Sequence, residues 1–427
     1  MIGHPVCPGW PPRRPRRRWR AATDRQTDWT SLFARRTRAG VGGGLIEILR
    51  LADATDVISF AGGFPDPATF PREAVLAGVE ELVETGDATP FQYSPTPGLA
   101  GPRDFIAARL ERLEGRRPEP GELLVTSGAV EALELLGKSL LDPGDLVLVE
   151  SPTYLGAIMA FRSFEAELLG VPMDEDGLEV DGPHGLEGIL RQRRPKLLYT
   201  IPDYQNPTGS SLSEARRRRL VELARRHGSL VVEDVAYREL GFEGHQPPSL
   251  WSLAPDVVVQ VGTFSKTFLP GVRLGWAVGP EAVVAQLTIA KQNTDQCAGA
   301  LGQRLVEIYG RSGRMDLQIL SSRELYRRRR DLLLRALPGH LPAVARWTRP
   351  RGGFFVWVTL DADVDTAALM ARAQAVGLAY VPGRPFFPDE GGRNTIRLSF
   401  SRVDDELIEE GVRRLGRLLG EALRACS

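Results

Sequence analysis

Cysteine is nearly missing: Cys7, Cys297 and Cys426 lie far apart in a chain of 427 residues. No two of them have the spacing of a metal knuckle or a redox pair, so a disulfide scaffold is excluded and a reducing compartment is expected. Histidine is as sparse, with five scattered residues, and no histidine-built metal centre is expected. Net charge is absent too, because 54 Lys+Arg balance 54 Asp+Glu. No whole-molecule field therefore draws the chain to nucleic acid or to an anionic membrane. No apolar run approaches the roughly 18 to 20 residues that a bilayer span requires. What remains is the expectation of a cytoplasmic globular protein, 42% hydrophobic and 25% charged, long enough to bury a large core without staples.

Charge does concentrate locally. "PPRRPRRRWR" (11–20) carries six arginines and three prolines with no apolar periodicity. Proline stops helices and like charges repel, so residues 1–30 are expected to be a disordered basic extension. The stretch has no apolar core of a secretory signal. A nucleic-acid-binding arm is the competing reading.

From about residue 31 onward, strand-like and helix-like segments alternate without an internal repeat. Apolar runs recur at "LLVTSG" (123–128), "LVLVESP" (146–152), "KLLYTIP" (196–202), "LVVEDVAY" (230–237) and "VVVQVGT" (257–263). Helix-length segments separate them, including "VEALELLGKSLL" (130–141) and "SEARRRRLVELARRHG" (213–228), the latter with a Ser213 cap and a Gly228 stop. Its arginine run reads as a solvated face. Near-continuous apolar strands alternating with helices predict an α/β fold with a mostly parallel central sheet covered on both faces. The last hundred residues differ: a long charged helix near 314–337, the strand "GGFFVWVTL" (352–360) and a final amphipathic helix suggest a smaller α+β domain. The expected division is an N-terminal segment 31–75 shared with the small domain, a large domain 76–305 and a C-terminal small domain 306–427.

Unusual polar residues cluster where these strands end, which is where open parallel sheets bind ligands. "VGTFSKTFLPGVRLGW" (261–276) leaves a buried-looking strand through Thr263 and Ser265, reaches Lys266, then turns through Pro-Gly to Arg273. A lysine beside a strand end is ordinarily solvated, so its neighbours must decide. A phosphate-bearing aromatic aldehyde would find a match at every atom. Ser127, Gly128 and Ala129 form a small turn before a helix N-terminus, suited to a phosphate. Arg273, Thr263 and Ser265 supply a cation and hydroxyls. Asp234 ends a strand too apolar for an unpaired charge and can hold a ring nitrogen's proton. Tyr237 and Asn206, the latter in "PDYQNPTG" (202–209), can donate to a phenolate. Tyr154 can stack on the ring, and Lys266 is the amine for the aldehyde. These demands are those of pyridoxal 5′-phosphate.

Over roughly residues 31–420 the chain resembles the class I/II aminotransferases of fold type I, and most nearly their 2-aminoadipate/kynurenine branch. The resemblance rests on "ISFAGGFPDPATFP" (58–71), "QYSPTPGLAGPRDFIA" (92–107), "YTIPDYQNPTG", "VVEDVAYREL", "FSKTFLPGVRLGW" and "VPGRPFFPDEGGRNTIRLSFS" (381–401). It implies an amino acid donor, a 2-oxo acid acceptor and an aldimine of the cofactor on Lys266. It implies a homodimer in which Tyr93 reaches the phosphate held by the other subunit. It also implies that Arg397 clamps the substrate carboxylate with Gly63 nearby. Where aminoadipate-preferring relatives can carry an arginine, this chain has Ile46, so neutral aliphatic or aromatic donors are expected. Other pyridoxal phosphate reactions (elimination, decarboxylation, cyclisation) stay open. A ligand-sensing regulator is disfavoured by the lack of a helix-turn-helix pattern ahead of the matching region, and a cofactor-free binding module by the intact Lys266 and Asp234.

Overall fold

The computed structural model describes residues 29–38, 57–244 and 246–426. The basic tract at 11–20 and Ile46 lie outside the described residues.

The apolar runs become strands. They are β1 (Ile58–Ser59), β2 (Leu123–Thr126), β3 (Leu146–Ser151), β4 (Glu167–Asp174), β5 (Gly177–Leu178), β6 (Leu197–Thr200), β7 (Leu230–Asp234), β8 (Val258–Thr263) and β9 (Gly275–Val278). Eight of them form one sheet in the order β2-β9-β8-β7-β6-β3-β4-β5. Neighbours from β8 through β4 run parallel, while β9 is antiparallel to both β8 and β2.

Strands β2, β6, β8 and β9 are buried at every residue, which is why their sequences read as unbroken apolar runs. Their side chains alternate between two cores. Leu123 and Val125 pack with Phe105, Leu110 and Leu220 on one face. Leu124, Val147 and Tyr199 pack with Leu133, Phe161 and Leu287 on the other.

The C-terminal part builds a second sheet from β10 (Ala345–Trp347), β11 (Phe355–Leu360), β13 (Val381–Pro382) and β14 (Thr395–Ser399), in the order β10-β11-β14-β13 and antiparallel throughout. Helices Arg314–His340 and Asp405–Cys426 flank it. The short β12 (Leu378–Ala379) pairs in parallel with β1. Ser399 N–H also donates to Phe60 O at 2.8 Å, so the segment after residue 57 is stitched onto the C-terminal sheet.

The helix expected after Ser213 spans Glu214–His227, with Ser213 Oγ accepting from Arg216 N–H and Gly228 at φ 70° closing it. One part of that expectation needs correction. Arg217, within the arginine run, is fully buried rather than solvated. Its guanidinium meets Asp203 at 2.6 Å, and Arg238 reaches the same carboxylate at 2.9 Å. A buried charge persists only when paired, and here one carboxylate shared by two arginines anchors the loop after β6. Among the described residues no helix is long and apolar enough to cross a membrane.

Candidate active site

The C-terminal edge of the large sheet and the face of the small one enclose a cavity of about 270 Å³. Strand β7 delivers Asp234, the loop after β8 delivers Ser265 and Lys266, and the turn into β9 delivers Arg273. Tyr154 follows β3, Asn206 follows β6, and Arg397 projects from β14 of the small sheet. Asp234, Lys266 and Arg273 line this one cavity, together with Gly63, Ala129, Tyr154, Asn206, Tyr237, Thr263, Ser265 and Arg397.

Asp234 is buried, and burial pushes its carboxyl above the ordinary aspartate value. Two donors work against that: Ala236 N–H to Oδ1 at 3.0 Å and the Tyr199 hydroxyl to Oδ2 at 2.8 Å. Lys266 Nζ donates to Gly63 O at 2.9 Å. Its desolvation, then the Arg397 charge, bring its pKa down to about 8, against a partial opposing pull from Asp234. The amine thus has an accessible neutral form near neutrality.

Arg273 adopts the left-handed region at φ 48°. Its Nη1 reaches Ser265 Oγ at 3.3 Å and its Nη2 reaches Ser127 O at 3.3 Å. Gly128, at φ 97°, is required twice over. A side chain would be strained there, and a Cβ would lie 2.6 Å from Arg273 Nη2. Thr263 Oγ1 and Ser265 Oγ are 3.0 Å apart beside this guanidinium. Of the turn expected to meet a phosphate, Ala129 lines the cavity while Ser127 and Gly128 do not. Ser127 Oγ instead donates to Asp295 at 2.8 Å, and its N–H donates to Glu131 at 2.5 Å. Lys291, fully buried, bridges those two carboxylates. Val130 lines the cavity as well, a position the motif alone did not single out.

Arg397 lies between the rings of Phe355 and Phe386, its Cζ at 4.4 and 4.8 Å from their centroids. Nη1 donates to Asn206 Oδ1 at 3.0 Å and Nη2 to Ala61 O at 2.8 Å. Nε is buried with no hydrogen-bond partner. Burial brings the guanidinium's pKa down to about 10, the mark of a cation held away from water without an anion. Tyr237 lines the cavity beside Asn206, its hydroxyl pushed well up by burial. A second layer fixes the Asn206 turn. Glu150, its carboxyl raised by burial to about 7, accepts from Thr200 Oγ1 at 2.5 Å and from Gln205 Nε2 at 2.9 Å.

Tyr154 is half-buried at the cavity wall, its ring folded back over Gly156, where any Cβ would collide with it. Tyr93 is 79% exposed and does not line the cavity of its own chain. Tyr199, Phe355 and Phe386 escaped sequence reasoning because their motifs read as core strand or loop.

Residues 55–415 match the family model described as aminotransferase class I and II. The chain is 40% identical over 395 residues to the 2-aminoadipate transaminase of Thermus thermophilus, an alignment spanning 92% of this chain and 97% of that one. It is 37% identical over 404 residues to aromatic-amino-acid aminotransferase 1 of Thermococcus litoralis, with 93% and 96% covered. Its structure is similar, at a TM-score of 0.87 and 39% identity, to the α-aminoadipate aminotransferase LysN of T. thermophilus complexed with N-(5′-phosphopyridoxyl)-L-leucine, covering 93% of this chain and all of that one.

Proposed function

The chain belongs to the class I and II aminotransferases, and from that premise we propose which of its residues carry the reaction and which donors it takes. It is a pyridoxal phosphate-dependent enzyme that moves an amino group from an amino acid to a 2-oxo acid. The cavity's charge fits that cofactor and substrate. Three cations, Lys266, Arg273 and Arg397, face a single carboxylate, Asp234. Neither guanidinium has an ion-pair partner among the described residues, so there is room for a phosphate at one and a carboxylate at the other.

When bound, pyridoxal phosphate supplies an aldehyde that condenses with amines and a ring that draws electron density from the substrate's Cα. Lys266 would hold the cofactor through its aldehyde carbon and, once freed by the incoming amino acid, its amine would carry the proton from the substrate Cα to that same cofactor carbon. Asp234 would keep a proton on the ring nitrogen, and Asn206 and Tyr237 would donate to the ring oxygen. Tyr154 would pack against the ring. Arg273, Ser265, Thr263 and, of the 127–129 turn, Ala129 would hold the phosphate, and Arg397 would orient the substrate carboxylate near Lys266, with Gly63 beside it. One observation carries this reading: Asp234, Lys266 and Arg273 share one small cavity with a second, anion-free guanidinium.

The Arg397 role has a direct test. Arg397→Gln leaves the other side chains in place but removes the clamp. We expect kcat/KM for the amino acid to fall roughly 10³-fold, mainly through KM, as loss of a buried charge partner predicts. Steady-state kinetics with unchanged cofactor absorbance would check it. A variant within a few-fold of native would refute the assignment.

The donor preference follows from charge. Phe64, Leu155, Ile201 and Phe386 make the rest of the lining apolar. Each of the three cations already has its own partner: the aldehyde for Lys266, the phosphate for Arg273 and the α-carboxylate for Arg397. A second carboxylate on the donor would be desolvated without a partner, at a cost of several kcal/mol. Leucine, methionine or phenylalanine should therefore exceed 2-aminoadipate and glutamate by about tenfold or more in kcat/KM. A substrate panel with 2-oxoglutarate as acceptor decides this, and the reverse ranking would sink it.

The reading extends to architecture. Residues 76–305 form the cofactor domain and 306–427 the small domain, which the 31–75 segment joins; the pairing of β1 with β12 supports this. It also takes the enzyme to be a cytoplasmic homodimer, with Tyr93 and the 60% exposed Phe91 facing a second copy.

A further inference from the structure

We infer that Tyr199 is a positioning residue for Asp234: its buried hydroxyl holds the carboxylate in the ionised, oriented form that a protonated ring nitrogen requires. The inference rests on the assignment of Asp234 to that nitrogen.

Tyr199 stands on β6 opposite Val232 of β7, two residues before Asp234. Its side chain is fully buried, and its ring meets Phe161 edge-on at 5.9 Å. An apolar strand position wants only hydrocarbon, and phenylalanine would fill it. The hydroxyl costs desolvation unless it is bonded, and here it donates to Asp234 Oδ2 at 2.8 Å. Asp234 needs such a donor. Burial favours its neutral form, and the Lys266 charge is the smallest of the influences opposing this. A neutral acid cannot balance a cationic ring nitrogen. Among the described residues two hydrogen bonds support its charge, one from Ala236 N–H and one from Tyr199. The backbone bond sets the position of Oδ1 and the phenol sets that of Oδ2, so together they fix the carboxylate plane.

The titratable groups around Asp234 are Lys266 after β8, Tyr237 on its own turn, and Tyr154 and Glu150 from the β3 side. Burial raises the Glu150 carboxyl as well, to about 7. The effect of Tyr199 is therefore read as a difference between native and variant chains.

The test uses the full-length protein stripped of cofactor and titrated with pyridoxal phosphate from pH 5 to pH 9. In Tyr199→Phe, the dissociation constant should rise roughly tenfold at neutral pH. The pH below which binding weakens should move upward, because losing a donor to the charged form raises the carboxyl's pKa further. Asp234→Asn should weaken binding by itself, and adding Tyr199→Phe to it should cause little further loss, since the phenol acts through that carboxylate. If Tyr199→Phe does not fold, 3-fluorotyrosine placed at 199 alone, a stronger donor of nearly the same size, should move the acid limb the opposite way. An unmoved acid limb in either variant, or losses that simply add to those of Asp234→Asn, would overturn the inference while leaving the role of Asp234 intact. A native chain that binds no pyridoxal phosphate, or an Asp234→Asn chain that binds it normally, would overturn the underlying reading and this inference with it.

Discussion

Lys266→Ala should lose transamination altogether, with kcat down by roughly 10⁴-fold or more, while the chain still folds and binds pyridoxal phosphate non-covalently. Among the described residues no other amine lines the cavity, so no neighbour can replace the side chain as nucleophile or proton carrier. Alanine removes one hydrogen bond, to Gly63 O, and two distant cation–ring contacts, to Tyr237 and Phe354, so a structural collapse is not expected. Borohydride reduction followed by intact-mass measurement separates the two proteins: the native chain gains the cofactor's mass and the variant does not. A pH signature accompanies this. Only the neutral amine attacks an aldehyde, and the Lys266 pKa is lowered to about 8 by burial and the Arg397 charge. In the cofactor-free native protein, the rate of covalent capture should rise with pH and level off above about 8, falling roughly tenfold per unit below it. A Lys266→Ala enzyme that turns over would refute the catalytic assignment.

Asp234→Asn should come second in size. The amide has the carboxylate's shape but no charge, so it cannot hold the ring nitrogen as a cation. The charge that develops at Cα then loses its sink, and kcat should drop about 10² to 10³-fold, the usual loss for a preorganised electrostatic partner. Because Ala236 N–H still finds an oxygen to donate to, the turn after β7 should keep its form. Single-turnover kinetics with a saturating amino acid isolate this step from binding. A rate within about threefold of native would remove Asp234 from the mechanism.

These two residues, and most of their companions, are legible in the sequence because each stands just beyond an apolar strand. Lys266, Asp234 and Asn206 are polar exceptions at the ends of β8, β7 and β6, where burial makes a polar side chain expensive unless it has work to do. Helix limits are legible for a local reason as well: Ser213 and Gly228 satisfy the backbone groups of the helix between them. Other features are hidden. Arg217 looks like its exposed neighbours, since its role depends on Asp203, which only folding brings within 2.6 Å. Ser127 looks like a phosphate ligand, but its polar groups turn toward Glu131 and Asp295, the latter 168 residues away. Tyr199 looks like core because its ring is core, and only its hydroxyl differs.

The order of strands and helices, the α/β class and the chemical character of each strand end were determined by the sequence alone. All of these depend on interactions within a few residues: side-chain periodicity, caps and turns. The tertiary structure decided which strand ends become neighbours, which acid each buried donor meets and which guanidiniums are left without an anion. Those outcomes depend on strand order and register across separations of tens to hundreds of residues, for which local pattern carries no energy term.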